Sequence, residues 1–283
     1  MLDLIGQRPS KTEGKTNQLT EMVFILFPFP LCNLCIFPSS NFRIFAAISE
    51  TMKKPEVLKV DLGSTNYVEA LRKQEDLMDD VLEVKLHNRK AAEPNRVNQI
   101  HYLLYCQHES VYTLGKRGKM ENLKVEPSVV GADFYHTNRG GDITYHGPGQ
   151  LIVYPIFDLE AFGLSLKGYI EKLEETVIHF LKKYGLKGER LQGASGVWLD
   201  ADKPSARKIC AVGVKASRYV TMHGLALNIN TDLSFFKHIV PCGIDDKAVT
   251  SLRKEMGEMI DFEKAQLQFL NSFRQVFGVE YLN

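Results

Sequence analysis

Twelve consecutive residues, Arg139-Gly140-Gly141-Asp142-Ile143-Thr144-Tyr145-His146-Gly147-Pro148-Gly149-Gln150, hold four glycines together with an arginine, a tyrosine and a histidine. Apolar residues resume at once with Leu151-Ile152-Val153-Tyr154. A core strand needs no such opening. Glycines at this density mark turns with φ above zero, or backbone that comes close to another group. Arg139, Tyr145 and His146 set polar tips beside that bare backbone. Two readings stay open at this point: a glycine-rich hairpin with solvated polar groups, or the wall of a site. In either case the fold has to place this loop directly before a buried strand.

The pattern around the loop predicts alternating strands and helices. Val57-Leu58-Lys59-Val60-Asp61-Leu62 alternates like a strand, and Ser64 or Asn66 then caps a helix with apolar residues at Tyr67, Ala70, Leu71, Leu77, Met78, Val81 and Leu82. His87 to Asn98 reads as a polar loop. Ile100 to Cys106 reads as a buried strand, and Val111 to Gly115 as a short strand ending near the basic Lys116-Arg117. Ser165 caps a helix whose apolar residues, from Leu166 and Tyr169 to Leu181 and Tyr184, keep helical spacing up to Gly185. Gly196 to Leu199 and Lys208 to Val214 look like paired strands, and His223 to Ile229 like another. A last helix starts near Asp261 and carries Phe262, Ala265, Phe269, Leu270, Phe273 and Phe277. Strands and helices intermingle without strict βαβ alternation. The expected fold is therefore one α/β or α+β domain over residues 52–283.

Residues 1–51 do not share this pattern. A polar head runs into an apolar stretch from Val23 to Pro38, shorter than the roughly 20 residues a membrane helix needs. Pro28 and Pro30 would break its middle. Glu13 and Glu21 fit poorly with a signal or transit peptide. Met52-Lys53-Lys54-Pro55 reads like a natural start. Residues 1–51 are thus expected to be an appendage, disordered or irregularly packed, or an over-extended gene model. With Met52 as the start the protein is expected in the cytoplasm; as a real extension the segment could carry a targeting role.

Composition narrows the function. Hydrophobic residues at 44% and charged residues at 24% suit a soluble globular protein with a substantial core. A net charge of +1 gives no reason to expect nucleic acid or an acidic membrane as a partner. Five cysteines in 283 residues argue against a disulfide framework and for a reducing compartment. Cys32 and Cys35 have CxxC spacing but no second pair, so no metal site is expected there.

Cys242 is the sharpest chemical candidate. It lies in Val240-Pro241-Cys242-Gly243-Ile244-Asp245. A proline on one side and a glycine on the other offer a sulfur nucleophile next to backbone N–H groups that can approach an oxygen, as covalent acyl chemistry requires. A buried structural cysteine is the alternative. Cys106 and Cys210 sit inside apolar runs and read as core. A thiol acts as the thiolate, so something must lower its pKa from about 8.5. Lys208, at the start of an apolar strand, is one candidate, with a strand-edge gatekeeper as the alternative. His146 and His223 each precede a glycine and offer a Cys–His pair instead.

Taken in order, Arg139-Gly140-Gly141, Thr144 to Leu151, Gly196-Val197-Trp198, Lys208-Ile209, His223 to Asn228 and Pro241 to Ile244 resemble the LipB family. These are the octanoyl-(acyl-carrier-protein):protein N-octanoyltransferases of lipoate biosynthesis. His108 to Gly115 fits the family's upstream segment, and the resemblance runs from about Val57 to Val279. The extension 1–51 is not part of the family pattern.

The resemblance implies the fold of biotin and lipoate protein ligases, a mixed sheet flanked by helices. It implies that Cys242 attacks the thioester of octanoyl-acyl carrier protein and holds the acyl group, while Lys208 lowers the thiol pKa and shuttles protons. The histidines then shape the site. The acceptor would be a lysine ε-amine on lipoyl domains, those of 2-oxo acid dehydrogenase E2 subunits and the glycine cleavage H protein. Substrate contacts carry over to Arg139, Gly140, Gly141, Asp142, Ile143, Thr144, Tyr145 and His146, to Ala211, Val212 and Gly213, and to Gly224, Leu225 and Ala226. No cofactor is implied: thioester to amide runs downhill without ATP, and no Walker-type loop is present in the sequence. Burying an eight-carbon chain at about 0.8 kcal/mol per CH₂ would supply several kcal/mol of binding. Tyr145, Leu151 and the strands of Val212 and Leu225 are expected to line its slot. Lys116, Arg117, Lys119 and Arg139 are expected to form a basic patch for the acidic carrier. The alternatives are an ATP-dependent lipoate or biotin ligase of the same fold, which needs no thiol nucleophile, and a non-catalytic binder, which has no use for Cys242 or Lys208.

Overall fold

The computed structural model describes residues 54–240 and 248–282. The expectations for residues 1–51 and for Cys242 therefore concern positions outside the described residues.

Strand alternation builds two cores from one sheet. Strand β2 (His101–His108) turns Leu103 and Tyr105 to one face and Leu104 and Cys106 to the other. Strand β6 (Gln150–Ile156) does the same with Leu151 and Val153 against Ile152, Tyr154 and Ile156. Continuous apolar runs of this kind suit strands covered on both faces. Helix α1 (Tyr67–Lys90) covers one face with Ala70, Leu77, Met78 and Val81. Helices α2 (Leu166–Lys182) and α4 (Phe262–Phe277) cover the other with Leu173, Val177, Phe180, Leu181, Phe269 and Phe273.

Besides β2 and β6, the sheet contains β1 (Glu56–Thr65), β7 (Glu189–Leu191), β8 (Ala194–Leu199), β9 (Arg207–Ser217), β10 (Val220–Asn228), β11 (Ala248–Val249) and β12 (Glu280–Leu282). Its nine strands run β12-β1-β2-β6-β10-β9-β8-β7, with β11 pairing alongside β9. β1 is parallel to both β12 and β2, β11 is parallel to β9, and the remaining pairs are antiparallel. The mixed sheet flanked by helices is as expected from the sequence. So are two caps: Asn66, of the Ser64 and Asn66 expected, and Ser165 accept from the third N–H of α1 and α2, and Asp261, where the last helix is expected to start, does the same for α4.

Two features were not legible. The polar loop expected from His87 starts later, because α1 continues to Lys90. Its last turns are held by charge rather than by apolar spacing. Lys85, buried, donates to Asp158 at 2.6 Å and to the Arg218 carbonyl at 2.8 Å, and Arg89 donates to Glu160. The second is a separate three-stranded sheet, β4-β3-β5, made of β3 (Val111–Leu114), β4 (Asp133–His136) and β5 (Ile143–His146). The short, partly exposed β4 has no alternation to reveal it. This small sheet packs Tyr112, Leu114, Ile143 and Tyr145 against Ile239, Phe235 and Phe236. A short helix, α3 (Leu252–Met256), links β11 to α4.

Candidate active site

The glycine-rich loop lies where the small sheet meets the large one, and a cavity of about 570 Å³ opens beneath it. Arg139 to Thr144 and His146 form one wall. Lys208 and Ala211 to Val214 of β9, with His223 to Ala226 of β10, form another. Leu166 and Ile170 of α2, Trp198 of β8, and Ala248 and Val249 of β11 close the end that holds Lys208. This is the size and mixed lining of a small-molecule pocket.

Hydrogen bonds hold the loop in place. Arg139 Nη2 donates to the Thr113 carbonyl at 2.5 Å and to Thr113 Oγ1 at 2.9 Å, and Nη1 donates to the Gly140 carbonyl at 3.1 Å. The Gly140 N–H donates to Val214 O at 2.9 Å, which ties the loop to β9. Gly141 has φ +90°, a conformation side chains resist. Gly213 faces the loop so closely that a Cβ there would stand 3.0 Å from the Gly140 oxygen. The density of glycines in the motif thus reflects both reasons at once, a left-handed turn and a close approach of two backbones.

Buried polar rings floor the cavity. His146 Nδ1 is 2.9 Å from Gln150 Oε1, so Nδ1–H donates there, and Nε2 lies 3.2 Å from Thr113 Oγ1. His108 pairs with the Thr65 carbonyl at 2.9 Å and with Tyr154 Oη at 2.8 Å. Tyr67 stacks on His146 with ring centroids 6.5 Å apart. Burial, then the neighbouring His108 and Arg139, pushes the His146 pKa down to about 3. Burial, then Arg139, takes His223 down to about 3 as well, and burial lowers His108. These imidazoles are neutral and weakly basic at neutral pH, which suits wall residues better than a base that must take a thiol proton. Burial raises the Tyr67 phenol to about 12.

Lys208 sits at the opposite end, with Nζ 4.6 Å from the centre of the Trp198 ring. The ring face attracts and orients the ammonium. Thr250 N–H donates to the Lys208 carbonyl at 2.9 Å, and Val249 pairs with Lys208 in register. Strand β11, the first described element after position 242, thus runs beside Lys208.

All the sequence-predicted contacts line the cavity except three. Cys242 lies outside the described residues. Tyr145 is turned away: strand alternation sends it into the small core, where it stacks on Phe235 at 4.6 Å and bonds Ser110 Oγ at 3.0 Å. Leu151, expected in the slot, instead joins the core beneath α2 and α4. Arg139 does not belong to a surface patch, since it is 92% buried by its 8% exposure, whereas Lys116, Arg117 and Lys119 are exposed. Sequence reasoning missed Tyr67, Gln150, Tyr154 and Asn228 as site residues. The only available signal was polar tips set within otherwise apolar periodicity. Cys106 and Cys210 are free and buried as expected, and burial pushes both thiols up, which disfavours the thiolate.

Comparison with known proteins agrees with this geometry. A family profile described as the lipoyl protein ligase A/B catalytic domain matches residues 77–274. An octanoyltransferase of Parabacteroides distasonis is 53% identical over 222 residues, covering 77% of this chain and 97% of that protein. An octanoyltransferase of Christiangramia forsetii is 48% identical over 229 residues, covering 80% of this chain and 97% of the relative. Among solved structures, the bipartite lipoate protein ligase of Thermoplasma acidophilum superposes with a TM-score of 0.57 at 14% identity, covering 82% of this chain and 86% of that one. That likeness shows a shared fold. By family profile and by close relatives, the chain belongs to the octanoyltransferase family, acyltransferases built on the lipoyl protein ligase A/B catalytic domain.

Proposed function

We propose that this protein moves an octanoyl group from octanoyl-acyl carrier protein to a lysine ε-amine of lipoyl domains, through an acyl-thioester on Cys242. The observation that carries this is the end of the cavity: a lysine held over Trp198, next to the strand that follows the Cys242 segment, with an apolar lining of Leu166, Ile170, Val212 and Leu225.

In the first half-reaction the Cys242 thiolate attacks the thioester carbonyl. The new S–C bond forms, the carbonyl carries the negative charge briefly, and the carrier's thiol leaves with a proton supplied by the Lys208 ammonium. In the second half the lysine amine of the acceptor attacks the same carbonyl carbon. The S–C bond to Cys242 breaks, an amide forms, and Lys208 accepts the surplus proton. Lys208 thus has two roles: its charge favours the thiolate, and it carries the proton between steps. Burial of the eight-carbon chain supplies several kcal/mol at about 0.8 kcal/mol per CH₂.

The acceptors are read as the lipoyl domains of 2-oxo acid dehydrogenase E2 subunits and the glycine cleavage H protein. Exposed Lys116, Arg117 and Lys119, at the mouth beside Arg139 to Gly141, suit an acidic carrier. Residues 52–283 form the catalytic domain in this reading. The unpaired Cys106 and Cys210 accord with a cytoplasmic setting.

Intact-mass measurement after mixing with octanoyl-acyl carrier protein tests the proposal. One octanoyl group is expected on the Cys242 peptide, released when a lipoyl domain is added. Cys242→Ser should cut turnover at least about a hundredfold, because an alcohol at its ordinary pKa is a far poorer nucleophile. An unmodified Cys242 with normal turnover, or pyrophosphate exchange into ATP with free lipoate, would replace this mechanism with that of a ligase.

A further inference from the structure

Among the described residues, four other than glycine have positive φ, and three of them, Asp200, Arg218 and Tyr219, lie in bends or turns. His223 is the exception: it holds φ +56° inside strand β10, in the cavity wall. A bulky side chain in this conformation persists only where its surroundings hold it, and such residues gather at functional sites.

Two sets of contacts hold it. On one side, the His223 N–H donates to Gln74 Oε1 at 2.9 Å. Gln74 is fully buried on the sheet-facing side of α1, where an amide is costly unless paired, and its Nε2 donates to the Ala70 carbonyl at 3.3 Å. On the other side, the ring reaches the loop. His223 Nε2 lies 2.8 Å from Asn138 Oδ1, so the neutral ring donates from Nε2. The cross-strand partner of His223 is Val214, and Val214 O accepts the Gly140 N–H at 2.9 Å. One strand pair therefore grips the residue before Arg139 and the residue after it.

We infer that Gln74 and His223 are positioning residues, a latch that sets the Arg139–Gly141 loop for the acyl donor. The inference rests on the reading that this loop is a substrate wall. A buried glutamine in an apolar helix face and a strained histidine within a strand are unrelated oddities otherwise. Together they form a continuous line, helix α1 to strand β10 to Asn138 to Arg139 and on to Thr113. Neither side chain touches the reacting atoms in this account. Their effect is on where the donor rests.

The test uses the full chain with three single variants and one double variant, His223→Gly with Asn138→Ala. His223→Gly relieves the backbone and removes the ring. Asn138→Ala removes the acceptor, and Asn138→Asp retains it. His223→Gly and Asn138→Ala should each raise KM for the octanoyl donor about fivefold or more, with kcat changed less than twofold and Tm within a few degrees of the parent. The double variant should be no worse than either single, because both break one link. Asn138→Asp should recover most of the donor KM. The alkylation rate of the Cys242 peptide, followed by mass spectrometry, should match the parent in all of them. Unchanged KM in both single variants, or additive losses in the double, would overturn the latch. A general loss of fold would appear as a large fall in Tm with kcat and KM both degraded, and that also overturns it as a positioning device, since His223 and Asn138 would then be structural. These outcomes are separable from the catalytic proposal: the parent enzyme either takes up octanoyl on Cys242 or does not, whatever the latch variants do.

Discussion

At the scale of single residues, the proposed mechanism turns on Lys208. Its backbone is fixed by pairing with Trp198 and Val249, and its ammonium rests over the Trp198 ring. If that charge favours the Cys242 thiolate, Lys208→Ala should slow alkylation of the Cys242 peptide about tenfold at pH 7, the consequence of a one-unit rise in thiol pKa. Lys208→Arg should restore the alkylation rate but not turnover, because a guanidinium keeps its proton. Alkylation that ignores the substitution would remove Lys208 from its role. The buried histidines give no such lever. Held near pKa 3, His146 and His223 contribute shape and hydrogen bonds at neutral pH.

Among the elements, α1 contributes more than its apolar stripe suggests. It closes one core, supplies Tyr67 and Gln74 to the site region, and ends in a buried ion pair. Lys85 and Asp158 are 4% and 5% exposed, so removing one partner leaves the other charged and buried. Lys85→Met should therefore cost about 3–5 kcal/mol in urea-induced unfolding. A loss below about 1 kcal/mol would mean that Glu160 and water compensate. The same pair explains why sequence periodicity stops short of the helix end. Periodicity reports burial of carbon, and the last turns of α1 are held by a charge that finds its partner 73 residues away.

For the whole molecule, the neutral buried histidines add to the loss of stability in mild acid. Burial puts His101 near 4, and His146 and His223 near 3, against 6.5 in an exposed state. Below pH 6.5 the unfolded chain binds protons that the folded chain refuses. Stability therefore falls as pH drops from about 6.5 towards 3–4 and is fully present above that window. At pH 5 each such histidine costs about 2 kcal/mol. Urea midpoints at pH 7 and pH 5 should differ accordingly, and equal midpoints would contradict the neutral assignment. Removal of residues 1–51 should leave Tm and transferase activity as in the full chain; loss of solubility would show that the segment belongs to the fold.

Much of this protein is readable along the chain. Caps at Asn66, Ser165 and Asp261, the apolar stripes of α2 and α4, and the runs of β2, β6 and β10 all follow from local sterics and burial, which act over a few residues. The loop from Arg139 to His146 also announced itself, because glycine at such density has few other uses. What tertiary structure alone decided is which groups meet. Gln74 reaches His223 across 149 positions, and Thr113 meets Arg139 across 26. Tyr145 turned into a core while Tyr67 and Tyr154 turned to the cavity. Strand order and the approach of two sheets determine these pairings, and neither is written in the spacing of residues within one element.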